Sequence, residues 1–182
     1  ETPFVIAELG VRDHRTKPPA DNPYMREYGY ALDIQTLLIE TLAAGASGAS
    51  VWCMHEVYYP GGKTPMRFGL WNFGGEWALR PVFHALAACC RNTEPGEPIY
   101  RVRSSHRASV RAVAVGGTLL WANRARREVA LRVAPDRAGA GRVYTEENTG
   151  DALEGGAPVA CAAGTPFTAP PRSFGFLNLD PP

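Results

Sequence analysis

Neither sign of charge dominates this chain of 182 residues: 19 lysines and arginines stand against 18 aspartates and glutamates, a formal net charge of +1. That balance leaves no electrostatic footprint for nucleic acid or for an acidic membrane surface, so neither is expected as a partner. No apolar run reaches the roughly 18 residues that a membrane-crossing helix needs, and no basic stretch leading into an apolar one precedes Pro3, so no targeting signal can be read. The cysteines are four, Cys53, Cys89, Cys90 and Cys161. They show neither CxxC spacing nor a nearby histidine pattern, which excludes the usual zinc sites, and no metal or other cofactor is expected. Cys89 and Cys90 lie side by side in an alanine-rich run and are expected as buried thiols rather than as a disulfide. Internal repeats and low-complexity tracts are absent as well. What the chain does have is 45% hydrophobic residues, enough for a real core, and a length that suits one large domain or two small ones.

The order of the apolar segments divides the chain. "FVIAELG" (residues 4–10) runs four apolar residues into a carboxylate, Glu8, and a glycine, and predicts a buried strand that delivers an acid to its end. A polar loop follows, in which Pro18, Pro19 and Pro23 exclude a helix. Tyr30, Ile34, Leu37, Leu38, Thr41 and Leu42 then fall at helical spacing, with Gly45 placed as a C-terminal cap, and predict a helix of about 18 residues. "GASVWCMHE" (48–56) reads as a second buried strand through Ala49, Val51, Trp52, Cys53 and Met54. After a loop rich in glycine, proline and aromatics, "RPVFHALAACC" predicts a helix with Pro81 in its first turn. Strand, helix, strand, helix implies a parallel unit with the loops after both strands at one edge. Beyond the linker-like "TEPGEP" the texture changes to short β-rich runs: "PIYRV", "SVRAVAV", "TLLWANR", "VALRVA", "GRVYTEE", "APVACAA" and "SFGFLNL". These predict a small antiparallel sandwich over residues 99–182, after a first unit over residues 1–98. The fold class expected is thus α/β followed by all-β.

The two strand ends are where chemistry is expected. Glu8 and the cluster Trp52, His55 and Glu56 occupy equivalent places, and in a parallel barrel that face carries the active site. The reading predicts a cleft floored by Glu8 and Trp52 and walled by Tyr58, Tyr59, His14 and Trp71. Aromatic rings beside carboxylates suit sugars, whose C–H faces stack on rings and whose hydroxyls bond to acids. Beside each role stands a plainer one. Glu8 can be a surface acid and Trp52 a core side chain; Glu56 can be a second acid in the cleft, a substrate ligand or a salt-bridge partner. His14 and His55 read first as polar loop residues, with His55 also a candidate ligand for a sugar hydroxyl. Arg12 and Asp13 are expected in loop contacts. Arg124, Arg126, Arg127 and Arg132 are expected on a solvated face.

The same motifs carry a resemblance. "FVIAELG" resembles the seventh-strand motif of clan A glycoside hydrolases of the cellulase and mannanase kind, and "GASVWCMHE" is similar to their eighth strand, whose tryptophan lies beneath the sugar. "FGLWNFGGEWALRPVFHAL" resembles their closing stretch, and "APPRSFGFLNL" the last strand of the β-sandwich appended to many of them. The resemblance implies the last two βα units of a (β/α)8 barrel with its sandwich, Glu8 as the catalytic nucleophile and Trp52 as the stacking platform, with His55, Glu56, Tyr58, His14 and Trp71 as substrate-binding candidates. It also implies a departure. Retaining glycosidases use two carboxyl groups about 5 Å apart, and the clan carries its acid/base in an Asn-Glu pair that this sequence lacks. The expectation is a retaining O-glycoside hydrolase acting on a β-linked carbohydrate. In it this chain is the downstream piece of a longer protein, and the acid/base comes from a missing N-terminal barrel segment or a second chain. A non-catalytic carbohydrate-binding or structural module is the alternative.

Overall fold

The computed structural model describes residues 2–15, 23–56, 58, 68–72, 77–106, 108–133, 137–150 and 152–181. Within them the fold is mixed and strand-rich, with two α-helices. β1 (Val5–Leu9) and β2 (Gly48–Val51) pair in parallel, Val5 opposite Gly48 and Leu9 opposite Val51, and the register shifts between Ile6 and Leu9. α1 (Tyr28–Ala43) joins them and is preceded by a 3-10 turn at Pro23–Arg26. The helix ends where the sequence places its stop: Gly45 adopts φ +104°, a conformation open to glycine, and its N–H donates to the Leu42 carbonyl. α2 (Pro81–Cys90) begins on Pro81, whose missing N–H costs nothing in a first turn.

The remaining strands form two antiparallel sheets. β3 (Ile99–Arg101), β4 (Val110–Val115), β5 (Thr118–Asn123), β10 (Ser173–Leu179), β7 (Gly139–Tyr144) and β8 (Ala157–Cys161) make a six-stranded sheet in the order β3-β4-β5-β10-β7-β8. β6 (Val129–Leu131) and β9 (Phe167–Ala169) make a two-stranded one. β9 is a strand that the sequence reading passes over, because Pro166 and Pro170 bracket its three residues like loop punctuation. β7 starts two residues earlier than "GRVYTEE" implies and ends at Tyr144, where Thr145–Asn148 turns.

Alternation along β5 explains how the layers stack. Leu120 and Ala122 face one side, where they share a core with Ile34, Leu38 and Ile39 of α1 and with Val82, Ala85 and Ala88 of α2. Leu119 and Trp121 face the other side and pack with Phe167 and Ala169 of β9. The division expected after residue 98 falls between α2 and β3, and one apolar core runs across it. α1 is therefore enclosed by β1 and β2 on one side and by the six-stranded sheet on the other, which accounts for eleven buried residues among its sixteen. Four aromatic rings tie the helices to the sheet: Tyr28 stacks on Phe174, Phe174 on Tyr144 and Tyr144 on His84, with centroids 5.1–5.8 Å apart. Tyr28 also donates its hydroxyl to the carbonyls of Tyr144 and Arg172.

Three expectations change. β1 and β2 are not buried on both faces, because each has only the other as a neighbour among the described residues: Phe4 is 53% and Val5 62% exposed. β2 also stops at Val51 rather than continuing through Met54, and the Trp52–Cys53 peptide is cis. Cys90 is exposed and Cys89 half-buried, since α2 turns Ala85 and Ala88 inward and Cys90 lies about 200° round from Ala88. All four thiols are free. Arg124, Arg126, Arg127 and Arg132 are exposed as expected, and Arg124 in addition reaches Asp33 of α1 at 3.0 Å.

His84 makes the helix–sheet contact sensitive to acid. The ring is fully buried, and its Nε2 lies 2.9 Å from the Gly150 carbonyl, so the proton of the neutral ring sits on Nε2. Nδ1 is buried without a partner among the described residues. Burial pulls the histidine below its ordinary 6.5, opposed by the bond to Gly150. The unfolded chain therefore takes up this proton first. The stability His84 contributes is complete above pH about 6.5 and falls as the pH drops below it. A His84→Gln variant keeps a donor for Gly150 and cannot titrate; the fall in melting temperature between pH 7 and 5 is expected to be steeper in the parent than in this variant, and equal slopes would refute the assignment.

Candidate active site

The parallel pairing of β1 and β2 brings Glu8 and Trp52 to one end of the molecule. Leu9 is buried beneath them, and its carbonyl accepts the Trp52 N–H at 3.1 Å. The Glu8 side chain is exposed, and Trp52 is 39% exposed, so the indole is not a core side chain. Met54, His55 and Tyr58 follow β2 in the chain, all exposed. His55 turns its Nδ1 to the Glu56 carbonyl at 2.8 Å. Tyr30 of α1 supports this end from below: Val11 donates its N–H to the phenol, whose burial pushes it up to about 12. Burial likewise raises the Cys53 thiol, which donates to the His55 carbonyl.

The loop after β1 is held by Asp13. Its carboxylate accepts the backbone N–H, Nε and Nη2 of Arg15 at 2.9, 2.9 and 3.0 Å, and the Tyr24 N–H at 3.1 Å. The Arg15 side chain, first among these, keeps Asp13 ionised down to pH about 2. Asp13 is thus a loop contact, as expected of it, and His14 beside it is exposed.

The loop after β2 is fastened differently. Residues 68–72 run beside 53–54, with Leu70 donating to the Met54 carbonyl at 2.9 Å, and Leu79 bridges back to Trp71. Gly69 passes so close that a Cβ there would lie 2.8 Å from both the Glu56 nitrogen and the His55 Cα. Arg80, capping α2, closes the arrangement: Nη2 donates to Glu56 Oε1, Nη1 to the Gly69 carbonyl at 2.7 Å and Nε to Asn72 Oδ1 at 3.1 Å. Glu56 and Arg80 are both buried. Of the roles open to Glu56 in the sequence, that of salt-bridge partner is the one its geometry shows. Its carboxylate is turned inward to Arg80. Trp71 is half-buried with its indole N–H enclosed. Tyr59 lies outside the described residues.

The pairing of β1 with β2 thus brings Glu8 and Trp52 to one end, both exposed, and turns Glu56 to Arg80 behind it. Sequence reasoning missed Arg80 as the anchor, although the arginine before Pro81 was in view.

No family model and no curated protein sequence matches the chain. Solved structures do. A GH30 endoxylanase from Clostridium papyrosolvens C71 superposes with a TM-score of 0.58 at 13% identity, over 95% of this chain and 40% of its own. A structure described as an arabinofuranosidase gives 0.59 at 12%, over 98% and 43%. A conserved exported protein from Bacteroides fragilis gives 0.58 at 13%, over 97% and 38%. The chain has the fold of a part of these proteins. It spans about two fifths of their lengths.

Proposed function

We propose that residues 1–182 are the nucleophile-bearing part of a retaining O-glycoside hydrolase. The observation that carries the reading is the pairing of β1 with β2, which sets an exposed carboxylate and an exposed indole at the same strand ends, within a fold similar to part of known glycoside hydrolases. In this proposal β1 and β2 are the last two strands of a (β/α)8 barrel, and the antiparallel sheets are its appended β-sandwich. Glu8 attacks the anomeric carbon of a β-linked glycoside through an oxocarbenium-like transition state and forms a glycosyl ester. Trp52 stacks on the apolar face of the sugar, and His55 and Tyr58 meet its hydroxyls.

The leaving oxygen needs a proton from a second carboxyl group about 5 Å from the first. The carboxylates in the segments after β1 and β2 that the structure describes are committed elsewhere, Asp13 to Arg15 and Tyr24, Glu56 to Arg80. With no Asn-Glu pair in the sequence, the proposal assigns the acid/base to a polypeptide segment outside residues 1–182, either preceding them or on a second chain, which also pairs the open edges of β1 and β2.

A slow mechanism-based fluoroglycoside separates catalysis from mere binding. Incubated with an active preparation that includes this chain and then digested, it is expected to leave a glycosyl adduct on the peptide carrying Glu8. An adduct on another carboxylate, or turnover with none on Glu8, refutes the assignment.

A further inference from the structure

Between the carboxy-terminal half of α1 and strands β3 and β4 lies a cavity of about 700 Å³, within the size range of small-molecule sites. Strand pairing decides what faces it. Arg101 of β3 stands opposite Val113 of β4, and Val113 belongs to the core that the sheet shares with α1, so Arg101 is turned to the α1 side. Arg111 lies two residues before Val113 and therefore on the same face. Arg103, two residues after Arg101, lines the cavity as well, and Ile39 and Ala43 of α1 give it an apolar wall.

The charges in this cavity are unevenly matched. Glu40 is the one carboxylate along it among the described residues, and its Oε1 accepts the Arg111 Nε. The Nη1 of that arginine is enclosed without an acceptor among those residues, so the bond to Glu40 does not use up the guanidinium. Arg101 and Arg103 are exposed and make no hydrogen bond or ion pair among them. Glu97 lies against Gly116, where it accepts the Glu94 N–H, and forms no ion pair with Arg101. The carboxy end of α1 brings about half a negative charge to Ala43 and Ala44. Three guanidiniums against one carboxylate and that dipole leave the cavity positive.

Like charges gathered on one sheet face repel one another, and an anion between them relieves the repulsion. Its shape follows from the spacing. Arg101 and Arg103 are two residues apart, so their backbones are separated by at most about 7 Å and both side chains can reach one centre. A planar carboxylate offers two oxygens, which a single guanidinium fork takes up, whereas a tetrahedral oxyanion has oxygens for two or three donors. We infer that this cavity is a binding site for a sulfate or phosphate ester, its oxyanion held by Arg101 and Arg103 and its organic part lying along Ile39 and Ala43. The inference stands apart from the Glu8 reading, because binding here is measured without turnover.

The test is a titration of the isotopically labelled chain with glucose 6-sulfate, followed by amide chemical shifts, with inorganic sulfate, acetate and glucose as controls. Shifts are expected to saturate on residues 101–104, on Arg111 and on the last turn of α1, and glucose should cause none. The ester should bind more tightly than the free ion, since it also covers the apolar wall. Raised salt should weaken binding. The variant Arg101→Gln/Arg103→Gln should weaken it about tenfold or more, as loss of a charge-assisted hydrogen bond does. Glu40→Gln, which removes the opposing charge and frees Arg111, should strengthen it. An undisturbed spectrum of each unliganded variant shows that the fold is kept. The inference is overturned if glucose 6-sulfate produces no saturable shifts at millimolar concentration, if acetate matches it, or if inorganic sulfate binds equally well. Shifts that map to another surface, or an unaltered affinity in the double arginine variant, overturn it too.

Discussion

Replacing Glu8 by Gln is expected to lower glycoside turnover by several orders of magnitude, with little change in sugar affinity and none in the melting temperature. Glutamine keeps the size and most of the hydrogen bonding of the side chain but is no nucleophile, so only the step that forms the glycosyl ester is lost. Fold stability should not register the change, because the side chain is exposed and no packing or ion pair depends on it among the described residues. The measurement is kcat and KM for the parent and variant in a preparation competent for turnover, with thermal unfolding beside them. A variant that keeps more than about a tenth of the parent turnover would remove Glu8 from the mechanism. One that loses activity together with its melting transition would make Glu8 a structural residue.

The sequence disclosed those parts of the fold that depend on local chemistry. Gly45 and Pro81 mark a helix end and a helix start because one supplies a positive φ and the other a preset φ, and each acts within a turn of itself. Short β-rich runs separated by glycine, proline, asparagine and aspartate placed the strands of the large sheet for a similar reason. What stayed hidden depends on partners distant in sequence. Tyr28 and Phe174 stack although 146 residues apart, and nothing local to either names the other. β9 is three residues between prolines and becomes a strand only because β6 pairs with it and Trp121 covers it. At the candidate site the pattern of apolar run, acid and glycine placed Glu8 correctly at a strand end. The same reasoning grouped Glu56 with Trp52 by adjacency alone. Only the return of residues 68–72 and 77–80 decides that one faces solvent and the other faces Arg80.

Arg80→Met is the substitution expected to cost the most stability, about 3–5 kcal/mol, because it removes one member of a buried ion pair and leaves the other. The Arg80 side chain is 2% exposed and that of Glu56 7%. With a methionine at 80, the Glu56 carboxylate must stay charged without its partner, take up a proton or drag water inward, and the Gly69 carbonyl loses its donor at the same time. The arginine also starts α2 and receives the chain from Leu70, whose carbonyl accepts its N–H at 2.8 Å. That backbone bond survives the substitution, so the loss is expected to be local to the loop rather than to α2. Pairing the change with Glu56→Gln tests this account. If the cost is the stranded charge, the double variant should be more stable than Arg80→Met alone, a coupling that urea unfolding of the four proteins measures directly. Additive losses, or a cost below about 1 kcal/mol for Arg80→Met, would show that the pair does not hold the loop. Under the mechanism proposed for Glu8, the same variant has a second signature. Residues 53–56 rest on the segment that Arg80 ties down, so Trp52 and His55 lose their fixed positions. Sugar affinity should then fall in Arg80→Met, where Glu8→Gln leaves it nearly unchanged.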